Sequence, residues 1–227
     1  MQFSDAEIFI FVNSRDYIEQ QIFIHGIYER TMLAFLRDNL CQEDCFWDVG
    51  ANIGVVSLYA SKRAGKVVAF EADPSCVTRL TTHAVVNEIT NIEVVDKAIS
   101  NNVGQVWLGF GPDTNRGMNS IVRQSDDGVL VSSLTLDSYY AETQECPVGI
   151  KLDVEGGELL VLKGATKVLE NPTLKWIILE AEIENGALAN NDILELLSSH
   201  GFSRVKELGR SDQTANDTVS NFLVTRT

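Results

Sequence analysis

Asp48-Val49-Gly50-Ala51-Asn52-Ile53-Gly54 follows directly on the apolar run Cys45-Phe46-Trp47 and leads into Val55, Val56, Tyr59 and Ala60 at helical spacing. A short buried strand, a glycine-bearing turn and an amphipathic helix form the opening unit of a parallel sheet covered by helices. Gly50 permits a tight turn and the close approach of a ligand, and Gly54 lets the helix lie close to the strand. A second strand, Lys66 to Glu71, ends in a carboxylate 17 positions beyond Gly54. That is about where a nucleoside-binding sheet needs an acid to accept the ribose hydroxyls.

Outward from this unit, strands alternate with helix-period segments. Asp73-Pro74 starts a helix, with Asp as N-cap and Pro in the first turn, and Val77, Leu80, Ala84 and Val85 supply its apolar stripe. Ile92 to Val95 is a third strand. Gln105 to Phe110 and Val129 to Ser133 read as strands around a polar loop, Gly111 to Gly128. Alternation then resumes with a strand over Val148 to Val154, one helix over Glu158 to Leu169 and a strand over Lys175 to Glu180. Asn191 caps a helix closed by Gly201, and Phe202 to Leu208 and Asn221 to Thr225 are the last two strands. Ahead of the sheet, Tyr28 to Leu40 is an amphipathic helix through Met32, Leu33, Leu36 and Leu40. The organisation expected is one domain, with residues 1–40 a helical cover and 41–227 the ligand-binding body.

Composition narrows the classes. The 227 residues carry 18 Lys+Arg against 32 Asp+Glu, a net charge of −14, with 44% hydrophobic residues. Such a balance suits a folded domain and repels a phosphate backbone, so no nucleic-acid partner is expected. The longest strongly apolar stretch, Ile8 to Val12, is far short of a membrane span, and no basic leader precedes it, so a cytoplasmic chain without a membrane partner is expected. Cys41, Cys45, Cys76 and Cys146 form no C-x2-C pair and read as reduced thiols.

The turn also discriminates between nucleosides. A dinucleotide enzyme shows G-x-G-x-x-G at a helix start that receives a pyrophosphate. Here the spacing is Gly50-x-x-x-Gly54, with Asp48 at the strand end. A carboxylate there repels pyrophosphate and suits a cationic amino-acid end, which favours S-adenosylmethionine over NAD. The competing readings are a nicotinamide-dependent oxidoreductase on a related fold, and a non-catalytic cofactor-binding protein that keeps the sheet as an interaction surface.

The sequence resembles the FkbM-type methyltransferases of the class I S-adenosylmethionine-dependent enzymes. The stretches that carry the resemblance are Phe46 to Gly54, Val68-Ala69-Phe70-Glu71-Ala72-Asp73-Pro74 and Lys151-Leu152-Asp153-Val154-Glu155-Gly156-Gly157-Glu158. Phe23-Ile24-His25-Gly26-Ile27-Tyr28-Glu29 is similar to the family's segment ahead of its first helix. Ala72 stands where the family usually has Pro, and Ala181-Glu182 where a polar residue or His often follows the fifth strand. The resemblance implies an α/β, Rossmann-like, mostly parallel seven-stranded sheet with helices on both faces and an antiparallel last strand. It implies O-methylation of a small-molecule hydroxyl, of sugar or natural-product type. Asp48 and Gly50 would hold the methionine end of the cofactor, Glu71 the ribose, and Asp96 and Ala98 the adenine, with Asn52, Gly54 and Ala72 as further cofactor-binding residues. Asp153 would lie beside the transferable methyl as the leading catalytic candidate.

Other residues carry a functional and a bland reading side by side. His25 is a candidate general base, against a hydrogen-bonded structural histidine. Lys151 shares a strand side with Asp153 and reads first as a partner for a nearby carboxylate. Glu155 and Glu158 suit a helix start electrostatically. His83 and His200 are taken as surface helix residues, and Arg116 as a loop cation able to meet an anionic acceptor. Asp153, Glu155 and Glu180 could supply oxygen ligands to a divalent metal, although no spacing demands it.

Overall fold

The computed structural model describes residues 2–3, 6–26, 29–109, 120–122, 128–184, 187–209 and 219–227. The N-terminal part runs β1 (Gln2–Phe3), β2 (Ala6–Glu7), α1 (Tyr17–His25), α2 (Arg30–Asn39) and β3 (Cys45–Val49). The first sheet units continue with α3 (Val55–Ser61), β4 (Lys66–Phe70), α4 (Pro74–Val86) and β5 (Ile92–Val95). A middle section holds β6 (Ala98–Ile99), β7 (Gly104–Gly109), β8 (Ser120–Val122), β9 (Val129–Leu134) and α5 (Leu136–Thr143). The chain closes through β10 (Gly149–Leu152), α6 (Glu158–Lys163), α7 (Thr166–Glu170), β11 (Trp176–Glu184), β12 (Ala187–Leu188), α8 (Asn191–Ser199), β13 (Phe202–Gly209) and β14 (Val219–Arg226).

The main sheet has the order β13-β14-β11-β10-β3-β4-β5, with β12 attached to β11. Pairing is parallel from β11 through β10, β3 and β4 to β5. β14 runs antiparallel to both its neighbours, β11 and β13. The expected seven-stranded path with an antiparallel last strand is what the chain adopts. Chain order reverses between β3 and β10, and in open α/β sheets that switch point, at the carboxyl ends of the strands, is where ligands sit.

Both faces of this sheet are covered, which is why its central strands read as nearly unbroken apolar runs instead of alternating ones. On one face Trp47, Val68, Phe70, Ile150, Ile177 and Leu179 pack with residues of α5 to α8. On the other, Phe46, Val67, Trp176 and Ile178 pack with α2 and α3, and Ile8 and Ile22 join that same cluster. The N-terminal segment is therefore part of the core of the sheet.

Local boundaries follow the chemistry of the caps. Asp73 accepts from the backbone N of Ser75 at 2.8 Å, and Pro74 opens α4 as expected. Asn190, one position before the expected cap, accepts from the N of Ile193 to start α8. The helix expected from Tyr28 begins at Arg30, and Tyr28 itself lies outside the described residues. The single helix expected over Glu158 to Leu169 is two helices. The break has a partner elsewhere: Asp137 of α5 accepts from the backbone N of Lys167 and Val168, both at 3.1 Å, and its own N donates to the carbonyl of Gly164. An interior acid thus caps α7 from a different element. α5 had no sequence expectation, although Thr135 and Ser138 form a reciprocal capping box at its start.

The middle strands form a second, four-stranded sheet in the order β6-β9-β7-β8. β7 and β9 pair antiparallel as the sequence pattern suggests. Much of the polar loop between them, Arg116 included, lies outside the described residues.

Candidate active site

At the switch point the backbones of two strands nearly touch. The N of Asp153 donates to the carbonyl of Val49 at 3.0 Å. Gly50, at φ +82, packs so tightly there that a Cβ would stand 1.7 Å from the carbonyl oxygen of Asp153. Gly54, at φ +91, has a different neighbour from the one expected: the Leu80 side chain of α4 fills the space a Cβ would take. Asn52 is also left-handed, at φ +51. The turn is held from the next strand: Glu71 Oε2 accepts from the N of Asn52 at 2.7 Å, and Oε1 from the N of Ala72 and Asp73, each at 2.8 Å. Burial raises the Glu71 pKa above the usual carboxylate value, and these backbone donors oppose it.

A cleft opens beside this turn, enclosing about 1050 Å³ with the solvent at its mouth included. Its lining joins two sets of residues that meet where Gly50 packs on Asp153: a glycine wall of Gly50, Asn52, Glu71, Ala72, Ala98 and Leu108, and an acidic wall of Glu29, Lys151, Asp153, Glu155 and Glu180. Gly50, Asn52, Glu71, Ala72, Ala98 and Asp153 are thus brought to one cavity. Asp96 is exposed and off this lining, while its neighbour Lys97 is on it. Asp48 is fully buried beneath the turn and does not line the cleft. Its Oδ2 accepts from Ser57 Oγ at 2.6 Å, and Lys151 Nζ lies 3.5 Å from its Oδ1.

Lys151 ties the two halves of the site together. It stands in register with Asp48 on adjacent parallel strands. Its Nζ donates to Asp153 Oδ2 at 2.9 Å and to the carbonyl of Gly50 at 3.2 Å. Burial disfavours its ammonium, but Asp153, Asp48 and Glu29 outweigh that and hold its pKa above the ordinary lysine value. A lysine interrupts an otherwise apolar strand here because carboxylates on either side compensate it.

Two acids had escaped a clear assignment from sequence. Glu29 is 8% exposed and takes the left-handed conformation, φ 53, just before α2. Its Oε1 accepts from Asn221 Nδ2 at 3.1 Å, across 192 residues of chain. Its Oε2 is buried with no hydrogen-bond partner among the described residues. Burial carries its pKa to about 7, with Asp153 and Asp48 adding and Lys151 opposing. Glu180, at the β11 position opposite Asn221, is carried to about 9 by burial and by Asp153 and Glu29. The resemblance supplies Glu29 only as the end of a matching stretch; the signal is Asn221 on β14, which bonds Glu29 and stands opposite Glu180 of β11, and it is invisible until the sheet is assembled.

The remaining candidates separate. His25 ends α1, and its side chain falls outside what the structure describes. Glu158 Oε1 accepts from the N of Val154 and Gly156, both at 3.2 Å, consistent with a role at the helix start. His83, expected at the surface, is 1% exposed; it bonds the carbonyl of Ile53 through Nδ1 at 2.9 Å and accepts from the N of Phe11 through Nε2 at 3.1 Å. The N-terminal segment covers the helix face on which it sits. No helix among the described residues is long and apolar enough to cross a membrane.

Comparison with known proteins adds a family. The methyltransferase FkbM domain model matches residues 48–204. The hexuronic acid methyltransferase AglP of Haloferax volcanii is 28% identical over 187 residues, covering 81% of this chain and 74% of that protein. The 31-O-demethyl-FK506 methyltransferase FkbM of Streptomyces tacrolimicus is 28% identical over 197 residues, covering 72% and 74%. A crystal structure of methyltransferase FkbM from Methylobacillus flagellatus superposes with a TM-score of 0.57 at 17% identity, over 82% of this chain and 44% of that one, so this chain spans under half its length. Magnesium protoporphyrin IX methyltransferase from Synechocystis, with bound SAM, superposes with a TM-score of 0.54 at 13% identity, over 93% and 84%. At these identities the two structures show the fold alone.

Proposed function

This chain belongs to the methyltransferase FkbM domain family, and from that premise we propose that it transfers the methyl group of S-adenosylmethionine to a hydroxyl of a small molecule. The observation that carries the reading is the closed contact of Gly50 on Asp153 beside a fixed Glu71, facing a wall of carboxylates. The residues fit that cofactor: the cleft offers an acid at the second strand tip for ribose hydroxyls and a carboxylate-rich surface for a cationic end, and a pyrophosphate would meet that surface unfavourably. The same charge disfavours a polyanion, in keeping with a small-molecule acceptor and no nucleic acid. The relatives' names point to acceptors of sugar-acid and natural-product type.

S-adenosylmethionine, when bound, supplies a methyl group already activated on a sulfonium. The chain's contribution is to place an acceptor in line, which in favourable cases is worth on the order of 7–11 kcal/mol. Asp153 orients the acceptor hydroxyl from the end of β10, with Lys151 holding its carboxylate in place. Proton removal falls to a carboxylate of the acidic wall, an assistance typically worth ~10²–10⁴ in rate. Residues 16–29 serve as a cover, contributing Glu29 to the cleft. Calorimetric titration tests the cofactor: saturable heat with S-adenosylhomocysteine and none with NADH is expected, and the reverse pattern would overturn the reading.

A further inference from the structure

The acidic wall holds more charge than methyl transfer asks of it. Oxygen atoms of Asp153, Glu155 and Glu180 lie within 4.8 Å of one another. Glu29, on the lining of the same cleft, adds an oxygen that is buried and without a hydrogen-bond partner among the described residues. Five carboxylates line the cleft, Glu29, Glu71, Asp153, Glu155 and Glu180, against two ammonium groups, Lys97 and Lys151. Glu71 is occupied by backbone donors. Lys151 donates to Asp153 Oδ2, and Asp153 and Glu180 share a hydrogen bond. A buried carboxylate oxygen with no donor is costly, and the acids beside it repel one another, a repulsion that shared protons or a cation among them relieves.

We propose that Asp153, Glu155 and Glu180, with Glu29 behind them, form a binding site for one hard divalent cation. The donors are all carboxylate oxygens, without imidazole or thiolate in the cluster, which selects the magnesium, manganese and calcium class over zinc or copper. Oxygen atoms no more than 4.8 Å apart can share one ion with bonds of about 2.0–2.6 Å. The ligands come from β11 and from the turn after β10, on two neighbouring strands, and Asn221 on β14 fixes Glu29. Its consequence for the cleft is an electrophilic point able to coordinate an acceptor's oxygen atoms at the strand ends. This site is independent of the cofactor reading, because cation binding can be read with neither methyl donor nor acceptor present.

The test uses the full chain, stripped with chelator and titrated with Mn²⁺ while the paramagnetic resonance signal of the free ion is followed. One Mn²⁺ per chain should disappear from solution at sub-millimolar concentration. Glu180→Gln and Glu155→Gln should each weaken uptake by about tenfold or more. Glu155 is exposed, so its variant keeps the fold even if Glu180→Gln does not. Glu142→Gln, an exposed surface change remote from the cluster, should bind as the parent does. Absence of saturable uptake below about 1 mM, or uptake by Glu155→Gln equal to the parent, overturns the proposal. A chain that binds Mn²⁺ but no S-adenosylhomocysteine would keep this site and refute the cofactor reading instead.

Discussion

The glycine wall of the cleft comes from one continuous part of the chain, residues 49–108, while the acidic wall is gathered from Glu29, residues 151–155 and Glu180. The first is built from backbone: left-handed turns at Gly50, Asn52 and Gly54, and amide groups that pin Glu71. The second is built from side chains whose charges only offset one another once the sheet is complete, with Lys151 at their centre. A wall made of backbone tolerates almost no added atoms, whereas a wall made of side chains tolerates substitution but loses its electrostatic balance. The first fixes where a ligand lies; the second sets what happens to charge and protons beside it.

The largest effect expected falls on the backbone wall. Gly50→Ala places a methyl 1.7 Å from the Asp153 carbonyl and forces a φ of +82 on a residue that resists it. Strain and displacement together should cost about 3 kcal/mol or more, lowering Tm by about 6 °C or more and abolishing S-adenosylhomocysteine binding. A thermal melt and calorimetry check both, and normal binding by Gly50→Ala would erase the distinction between the walls.

A matched pair of charge-removing changes sharpens it. Asp153→Asn should leave the cofactor dissociation constant near the parent's and lower kcat by ~10². Glu71→Gln should do the opposite, weakening S-adenosylhomocysteine about tenfold through a lost charge-assisted acceptor. Because one carboxylate of Glu71 serves three backbone N–H groups, the amide also leaves a donor facing a donor, and a modest drop in Tm accompanies it. If both variants shift the same parameter, the two walls act as one.

These expectations rest on parts of the molecule that were unequally readable. The β3 turn, Glu71 and the α4 cap are local: strand, turn and helix lie within a few residues, and the physics that shapes them acts over the same distance. Asp153 was legible because it ends an apolar strand. Glu29 and Glu180 were not resolvable as a pair, since their meeting depends on β14 running between β11 and β13, a pairing no spacing encodes. The break between α6 and α7 was hidden for the same reason, because its cap, Asp137, sits on α5, about 30 residues earlier. His83 read as a surface residue because the helical stripe shows which side faces the sheet, not which side the N-terminal segment later covers.

The smallest effect comes from His83. Burial holds its pKa below the ordinary value of 6.5, with Arg79 adding and the bond to Ile53 opposing. The unfolded chain therefore binds a proton near pH 6 that the folded chain refuses, so the contribution of His83 is full above about pH 6.5 and is lost below it, opposite in sign to that of the raised acids Glu29 and Glu180, which weakens as the pH rises. The difference in slope between the parent and His83→Gln should amount to under about 1 kcal/mol per pH unit. Melts between pH 7.5 and 5.5 measure it; an unchanged slope in the variant would place the titration elsewhere.

The position of β14 has a consequence in time. Its residues, Val219–Arg226, pair with β11 on one side and β13 on the other. A growing chain can assemble β3, β4, β5 and β10 against their helices while β11 still presents a bare edge, a hazard for pairing with other chains. Asn221 must then arrive before Glu29, made 192 residues earlier, is held in place. The glycine wall matures during synthesis, and the acidic wall switches on last, with the strand that closes the sheet.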